Sequence, residues 1–143
     1  MIFGIAYTSL ALTNFDDKSL QELSQAAAEK NKSLDITGYL YYDNQLFMQY
    51  LEGRKEDVEA LMTAIKDDPR HRVFVAVPLA RIEKRIFPNW SMRYLPDDLP
   101  FDEKITLEDE LAQIFEMTME NNLHSDEVAE AILNVTQRIA TLA

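Results

Sequence analysis

The stretch Phe47-Met48-Gln49-Tyr50-Leu51-Glu52-Gly53 decides the fold. Strand residues alternate between faces, so Phe47, Gln49 and Leu51 point one way and Met48 and Tyr50 the other. Both faces are largely apolar, and both must be covered. Gln49 is the exception, a neutral amide among apolar neighbours. Left unpaired it costs roughly 1–3 kcal/mol, so it needs a hydrogen-bond partner from the protein or from a ligand.

Working outward, residues 46–52 pair with 36–42 in a hairpin around Asp43-Asn44-Gln45. Residues 2–9 alternate as a first strand, with Phe3, Ile5, Tyr7 and Ser9 on one face. A helix is predicted over 19–30, with Ser19 and Glu22 at capping-box spacing and Leu20, Leu23, Ala27 and Lys30 in one stripe. A second helix fits 55–67, carrying Val58, Leu61, Met62 and Ile65, and Asp68-Pro69 stops it. Strands over 72–81 and 89–95 follow, the last placing Trp90 and Met92 on a shared face.

The order βαββαββ predicts an α+β, ferredoxin-like mixed sheet with two helices on one face. Cover for the other face is available in residues 97–143. Thr106 can cap a helix carrying Leu107, Leu111, Ile114, Phe115 and Thr118, and Ser125 another carrying Val128, Ile132, Val135, Ile139 and Leu142. The expected division is a domain over 1–96 and an acidic helical extension over 97–143.

Charge sharpens that division. Residues 1–96 hold 12 Lys/Arg against 13 Asp/Glu, whereas 97–143 hold 2 against 12, so the extension carries nearly all of the net −11. Such a field opposes direct contact with nucleic acid or an anionic membrane. There are no cysteines, which excludes disulfides, thiolate nucleophiles, zinc–thiolate sites and flavin–cysteine adducts, and two histidines make a poor metal site. The three glycines, Gly4, Gly38 and Gly53, form neither a Rossmann fingerprint nor a P-loop. No membrane span or secretory signal is visible, and a soluble, cytoplasmic protein is expected.

Five short motifs fall in a family's order: Tyr7-Thr8-Ser9; Asn31 with Ile36-Thr37-Gly38; the Phe47–Gly53 run; Asp68-Pro69-Arg70-His71; and Arg85-Ile86-Phe87-Pro88-Asn89-Trp90-Ser91-Met92. Across residues 1–96 the chain resembles the BLUF domains, sensors of blue light using FAD. The resemblance implies an FAD-binding photoreceptor with a switch formed by Tyr7, Gln49, Trp90 and Met92. Tyr7 would give an electron to the photoexcited flavin, a proton would follow through Gln49, and the amide would end rearranged, giving a reversible red shift of the absorption band.

Ser9, Asn31, Phe47, Gln49, Asp68, Arg70 and His71 are the implied cofactor contacts. Asn31 also suits a helix C-cap, and Arg70 also reads as a surface charge. Trp90 and Met92 would carry the signal outward, with either one facing the flavin. Ala64 stands where some relatives carry a basic residue, with Lys66 two positions away, so FMN or riboflavin could compete with FAD. No enzyme activity is expected. The signal would pass to an unidentified downstream protein, and a homo-oligomer is implied. A flavin-dependent oxidoreductase and a cofactor-free ferredoxin-like interaction module are the alternatives; the first lacks a nicotinamide fingerprint and the second would be colourless.

Overall fold

A computed structural model describes residues 2–95, 99–119 and 126–142, with backbone alone at 80, 81 and 119. Its elements are β1 (Ile2–Ala11), α1 (Asp17–Ser33), β2 (Thr37–Asp43), β3 (Leu46–Gly53), α2 (Lys55–Asp67), β4 (His71–Ile82), β5 (Ser91–Leu95), α3 (Phe101–Met119) and α4 (Asp126–Ala140). The sheet runs β4-β1-β3-β2-β5, antiparallel throughout except that β5 lies parallel to β2. This is the ferredoxin-like order with one strand added at the β2 edge.

The two faces of β3 lead to two cores. Phe47 and Leu51 pack with Leu20 of α1, Val58 and Leu61 of α2, and Leu40 and Met92. Met48 and Tyr50 pack with Tyr39, Tyr41, Trp90 and Leu95, covered by Leu107, Leu111, Ile114 and Phe115 of α3 and by Val128, Ile132, Val135 and Ile139 of α4. The extension thus covers the face opposite α1 and α2. Among the described residues no helix is long and apolar enough to cross a membrane.

Several boundaries differ from the sequence reading, each for a local reason. Helix α1 starts earlier because Asp16, not Ser19, is the N-cap. Asp16 Oδ1 accepts from the Ser19 amide (2.7 Å) and Ser19 Oγ accepts from the Asp16 amide (2.9 Å), a reciprocal box with serine in the usual Glu position. The helix also runs past Asn31, which is therefore not its C-cap. Asp35 takes a left-handed conformation (φ 54°), and the amides of Asp35 and Ile36 bond back to the Lys32 and Asn31 carbonyls, closing the helix beyond Leu34.

Thr106 does not cap α3. The helix begins at Phe101, where the Pro100 carbonyl accepts from the Lys104 amide, and the Thr106 hydroxyl bonds back to the Asp102 carbonyl (3.0 Å). The expected cap Ser125 lies outside the described residues, and Leu142 falls beyond the end of α4. The β2–β3 hairpin closes through Asn44 and Gln45, both at positive φ (50° and 67°), the geometry of a type I′ turn.

The last strand carries the largest departure. Gly38 pairs with Ser91 but Tyr39 pairs with Arg93, so Met92 is an extra residue in β5, a bulge with φ 127°. One inserted residue reverses the alternation. Trp90 and Met92 therefore lie on opposite faces of the sheet, not on a shared one.

Candidate functional site

A cavity of about 220 Å³ opens between α1, α2 and the sheet, lined by Tyr7, Phe15, Leu23, Ala26, Ala27, Lys30, Asn31, Leu40, Phe47, Gln49, Leu61, Ile65, Asp68, Arg70 and His71. Its walls are mainly apolar, with a few polar groups converging, the usual make-up of a small-molecule site. It is smaller than the roughly 300–1,000 Å³ of sites that enclose a whole drug-sized ligand, so it suits one ring system better than an entire dinucleotide.

Tyr7 and Gln49 are directly opposed in the β1–β3 register, which brings phenol and amide together inside the cavity. The Tyr7 hydroxyl donates to Gln49 Oε1. Burial, reinforced by the negative charge of Asp68, pushes the phenol far above its ordinary range, so it stays a donor. On the other side Gln49 Nε2 donates to Met92 Sδ at 3.3 Å. A thioether only accepts, so the two partners fix the amide's orientation between them. The bulge makes this contact possible by turning Met92 inward.

His71 closes the far end. Its Nε2 lies 2.7 Å from the Ile65 carbonyl, which can only accept, so Nε2 donates there. Nδ1 is then the acceptor for the Ser9 hydroxyl, also at 2.7 Å. The imidazole meets Tyr7 and Phe47 edge-on, with ring centroids 6.1 and 6.0 Å apart. Ser9 thus acts on the cavity through His71 and does not line it.

Asp68 and Arg70 form a two-pronged pair at the rim, with Arg70 Nε to Asp68 Oδ1 at 3.0 Å and Nη2 to Oδ2 at 2.6 Å. The hydrogen-bonded guanidinium holds the Asp68 carboxyl down at about 2. Arg70 is half exposed, and its charge is already matched by Asp68.

Asn31 tests whether the cavity is made for a ligand. It is 2% exposed and lines the wall, and its Nδ2 has no hydrogen-bond partner among the described residues. A buried amide donor so placed calls for an acceptor, and the carbonyl edge of a flavin ring has that chemistry. The residues present fit FAD at its ring end.

Of the residues singled out from sequence, Tyr7, Asn31, Phe47, Gln49, Asp68, Arg70 and His71 line the cavity, and Met92 touches it through Gln49. Trp90 does not reach it. Its ring stacks on Phe87 at 5.3 Å and faces the Arg93 guanidinium at 5.2 Å, within the core under α3 and α4. Lys30 and Phe15 were missed as lining residues. Lys30 had a signal, as a charge ending the apolar stripe of α1; Phe15 precedes the helix and had none.

The chain matches the family model of BLUF, "Sensors of blue-light using FAD", over residues 2–93. It is 34% identical over 96 residues to the photoactivated adenylate cyclase subunit beta of Euglena longa; the match covers 66% of this chain but 11% of that relative. Among solved structures it resembles BlrB, a BLUF protein in its dark state, with 26% identity and a TM-score of 0.68 over 99% of this chain and 97% of that one. It also resembles a bacterial light-regulated adenylyl cyclase, with 25% identity and a TM-score of 0.75, covering 96% of this chain and 40% of that one.

Proposed function

The chain belongs to the BLUF family, sensors of blue light using FAD, and from that premise we propose that Tyr7, Gln49 and Met92 form its light-operated switch. The row Tyr7 Oη to Gln49 Oε1 and Gln49 Nε2 to Met92 Sδ, on the wall of the cavity, is the observation that carries this reading. When bound, FAD supplies the blue absorption and, once excited, an acceptor for one electron. Asn31 Nδ2 is available to hold its ring, with His71 and Phe47 shaping the pocket and Asp68, Arg70 and Lys30 at the rim.

Tyr7 is the donor in this scheme. Its hydroxyl proton already lies on the line to Gln49 Oε1, so electron and proton can leave together, and Tyr7 recovers both on return. The lasting change is in Gln49. A rotated amide turns Nε2 toward Tyr7, which can accept, and Oε1 toward Met92. The thioether cannot donate, so the Met92 contact is lost. Light is thereby converted into a change in what β5 is bonded to.

The signal leaves through protein contact, and residues 1–96 act as sensor with 97–143 as the output-side extension. The partner is a protein, since the extension's acidic field disfavours nucleic acid and anionic membrane. An absorption spectrum of purified protein before, during and after blue illumination tests the reading. A flavin band that shifts reversibly to the red without bleaching is expected, and Tyr7→Phe should stay yellow without shifting. Bleaching of the band, or a normal shift in Tyr7→Phe, refutes it.

A further inference from the structure

We propose that Glu52 is a positioning residue of the switch, a buried carboxylate that clamps the β4–β5 loop and so sets where Met92 meets Gln49. This rests on the switch reading above. Glu52 lies three residues after Gln49 on β3, on the opposite face, and is fully buried. Four donors converge on its carboxylate. Tyr50 Oη (3.0 Å) and the Ile86 amide (2.8 Å) reach Oε1; the Phe87 amide (2.6 Å) and Thr37 Oγ1 (3.2 Å) reach Oε2. An acceptor-only group is the chemical complement of that set.

Two of those donors are consecutive backbone amides of the loop that leads into β5. The loop is tied down further by Arg85, whose Nη1 donates to Thr37 Oγ1 (2.9 Å) and the Glu52 carbonyl (3.2 Å) and whose Nη2 donates to the Asp35 carbonyl (2.7 Å). The Trp90 carbonyl then accepts from the Gly38 amide at 2.9 Å. Gly38 sits at φ 152°, where a side chain would collide with the Tyr50 carbonyl, so backbone meets backbone closely at this point. From Trp90 the chain runs through Ser91 into the bulge, with Met92 on Gln49. Glu52 thus fixes one end of a short span whose other end is the sulfur that accepts from the switch amide.

Glu52→Gln is nearly isosteric but cannot satisfy this set. Tyr50 and Thr37 can turn their hydroxyls to accept from a new NH2, but a backbone amide cannot turn. Whichever way the Gln lies, either Ile86 or Phe87 loses its acceptor. A loosened span lets Met92 withdraw more easily when Gln49 rearranges, and return more easily too. Dark recovery in Glu52→Gln should therefore be about five- to tenfold faster, the size expected from losing one intramolecular hydrogen bond. Hydrogen exchange at the Ile86, Phe87 and Gly38 amides of the FAD-bound protein in the dark should rise in parallel.

The control is the same substitution in a Met92→Leu background. If Glu52 acts through Met92, the acceleration disappears there while the loop amides still exchange faster. Equal acceleration in both backgrounds overturns the proposal, because a merely structural carboxylate would act without Met92. Thr37→Val removes one donor to the carboxylate and one acceptor of Arg85 at constant shape. It should give a smaller acceleration, about two- to threefold, and takes the place of Glu52→Gln in the comparison if that variant fails to hold FAD. A wild-type protein without a red shift sinks the switch reading itself. A normal wild-type shift with unaltered recovery in both variants sinks the Glu52 proposal alone.

Discussion

Replacing Gln49 with Leu separates the switch from the pocket that houses it. The side chain is 4% exposed, and Leu keeps most of its volume while deleting both hydrogen-bonding ends. What remains is the hydroxyl of a buried Tyr7 that has lost its acceptor. A buried donor stranded in this way costs about 1–3 kcal/mol, and burying Leu in place of an amide returns part of it. The net loss should be about 1 kcal/mol, which for a chain of this size lowers Tm by about 2–4 °C. Tyr7→Phe strands the amide instead and should cost a similar amount. Combining the two removes both partners, so the double variant should be no less stable than either single one. Thermal unfolding in the dark measures all four proteins, and the absorption difference on illumination gives the functional half. Gln49→Leu should retain FAD and show no reversible red shift. A wild-type shift in Gln49→Leu would refute the amide switch, and strictly additive Tm losses would refute the energetic weight given to the Tyr7–Gln49 bond.

Three further outcomes follow from the same geometry. Asn31→Ala removes a cavity-wall amide whose Nδ2 lacks a partner among the described residues, so it should weaken FAD retention by about five- to tenfold, read by equilibrium dialysis, with little loss of stability in the flavin-free protein. Asp68 is held down at about 2 by Arg70, so its stabilising contribution is complete above the ordinary carboxylate range and is lost as pH falls from about 4 to 2. Urea midpoints of wild type and Asp68→Asn should differ at pH 6 and converge near pH 2. Phe115→Ala and Ile132→Ala cut into the core under the extension and should each cost about 2–5 kcal/mol. They should leave the red shift in place while altering the light-minus-dark hydrogen exchange of α3 and α4; identical exchange in light and dark in the wild type would assign the extension to cover alone.

The sheet was legible in the sequence because β3 spells out its own environment. A strand apolar on both sides demanded two covers, and the stripes Leu107-Leu111-Ile114 and Val128-Ile132-Val135 supplied the second. The cavity residues were legible through motifs, since Tyr7 and Gln49 alternate onto the same face. What failed was anything that depended on a single inserted or inverted residue. Period-two counting joins Trp90 to Met92 unless a bulge intervenes, and the bulge here is a backbone choice with no glycine to announce it. The end of α1 was hidden likewise, because Asp35 takes the left-handed position that glycine usually fills. Ser19 and Glu22 have the more familiar box spacing, which hides Asp16 as the cap. The role proposed for Glu52 is invisible in sequence, since two of its four donors are backbone amides of a loop 34 and 35 residues away.

That inserted residue also bears on how a change in the cavity can be felt by the other core. With regular alternation, Trp90 and Met92 would both face one side of the sheet. The bulge gives Met92 to Gln49 and Trp90 to the core beneath α3 and α4, so adjacent points of one short chain segment serve both faces. Next to it on β2, Tyr39 pairs with Arg93 immediately past the bulge and reaches Thr136 of α4 through a 2.9 Å hydroxyl contact. A positive-φ residue other than glycine stores about 1–3 kcal/mol, so Met92 holds strain that a change at the bulge can release. In the proposed switch, the Gln49–Met92 bond and the loop held by Glu52 would restrain that geometry in the dark. Losing the Met92 contact would release one of these restraints at the point where β5 and β2 pack against α3 and α4.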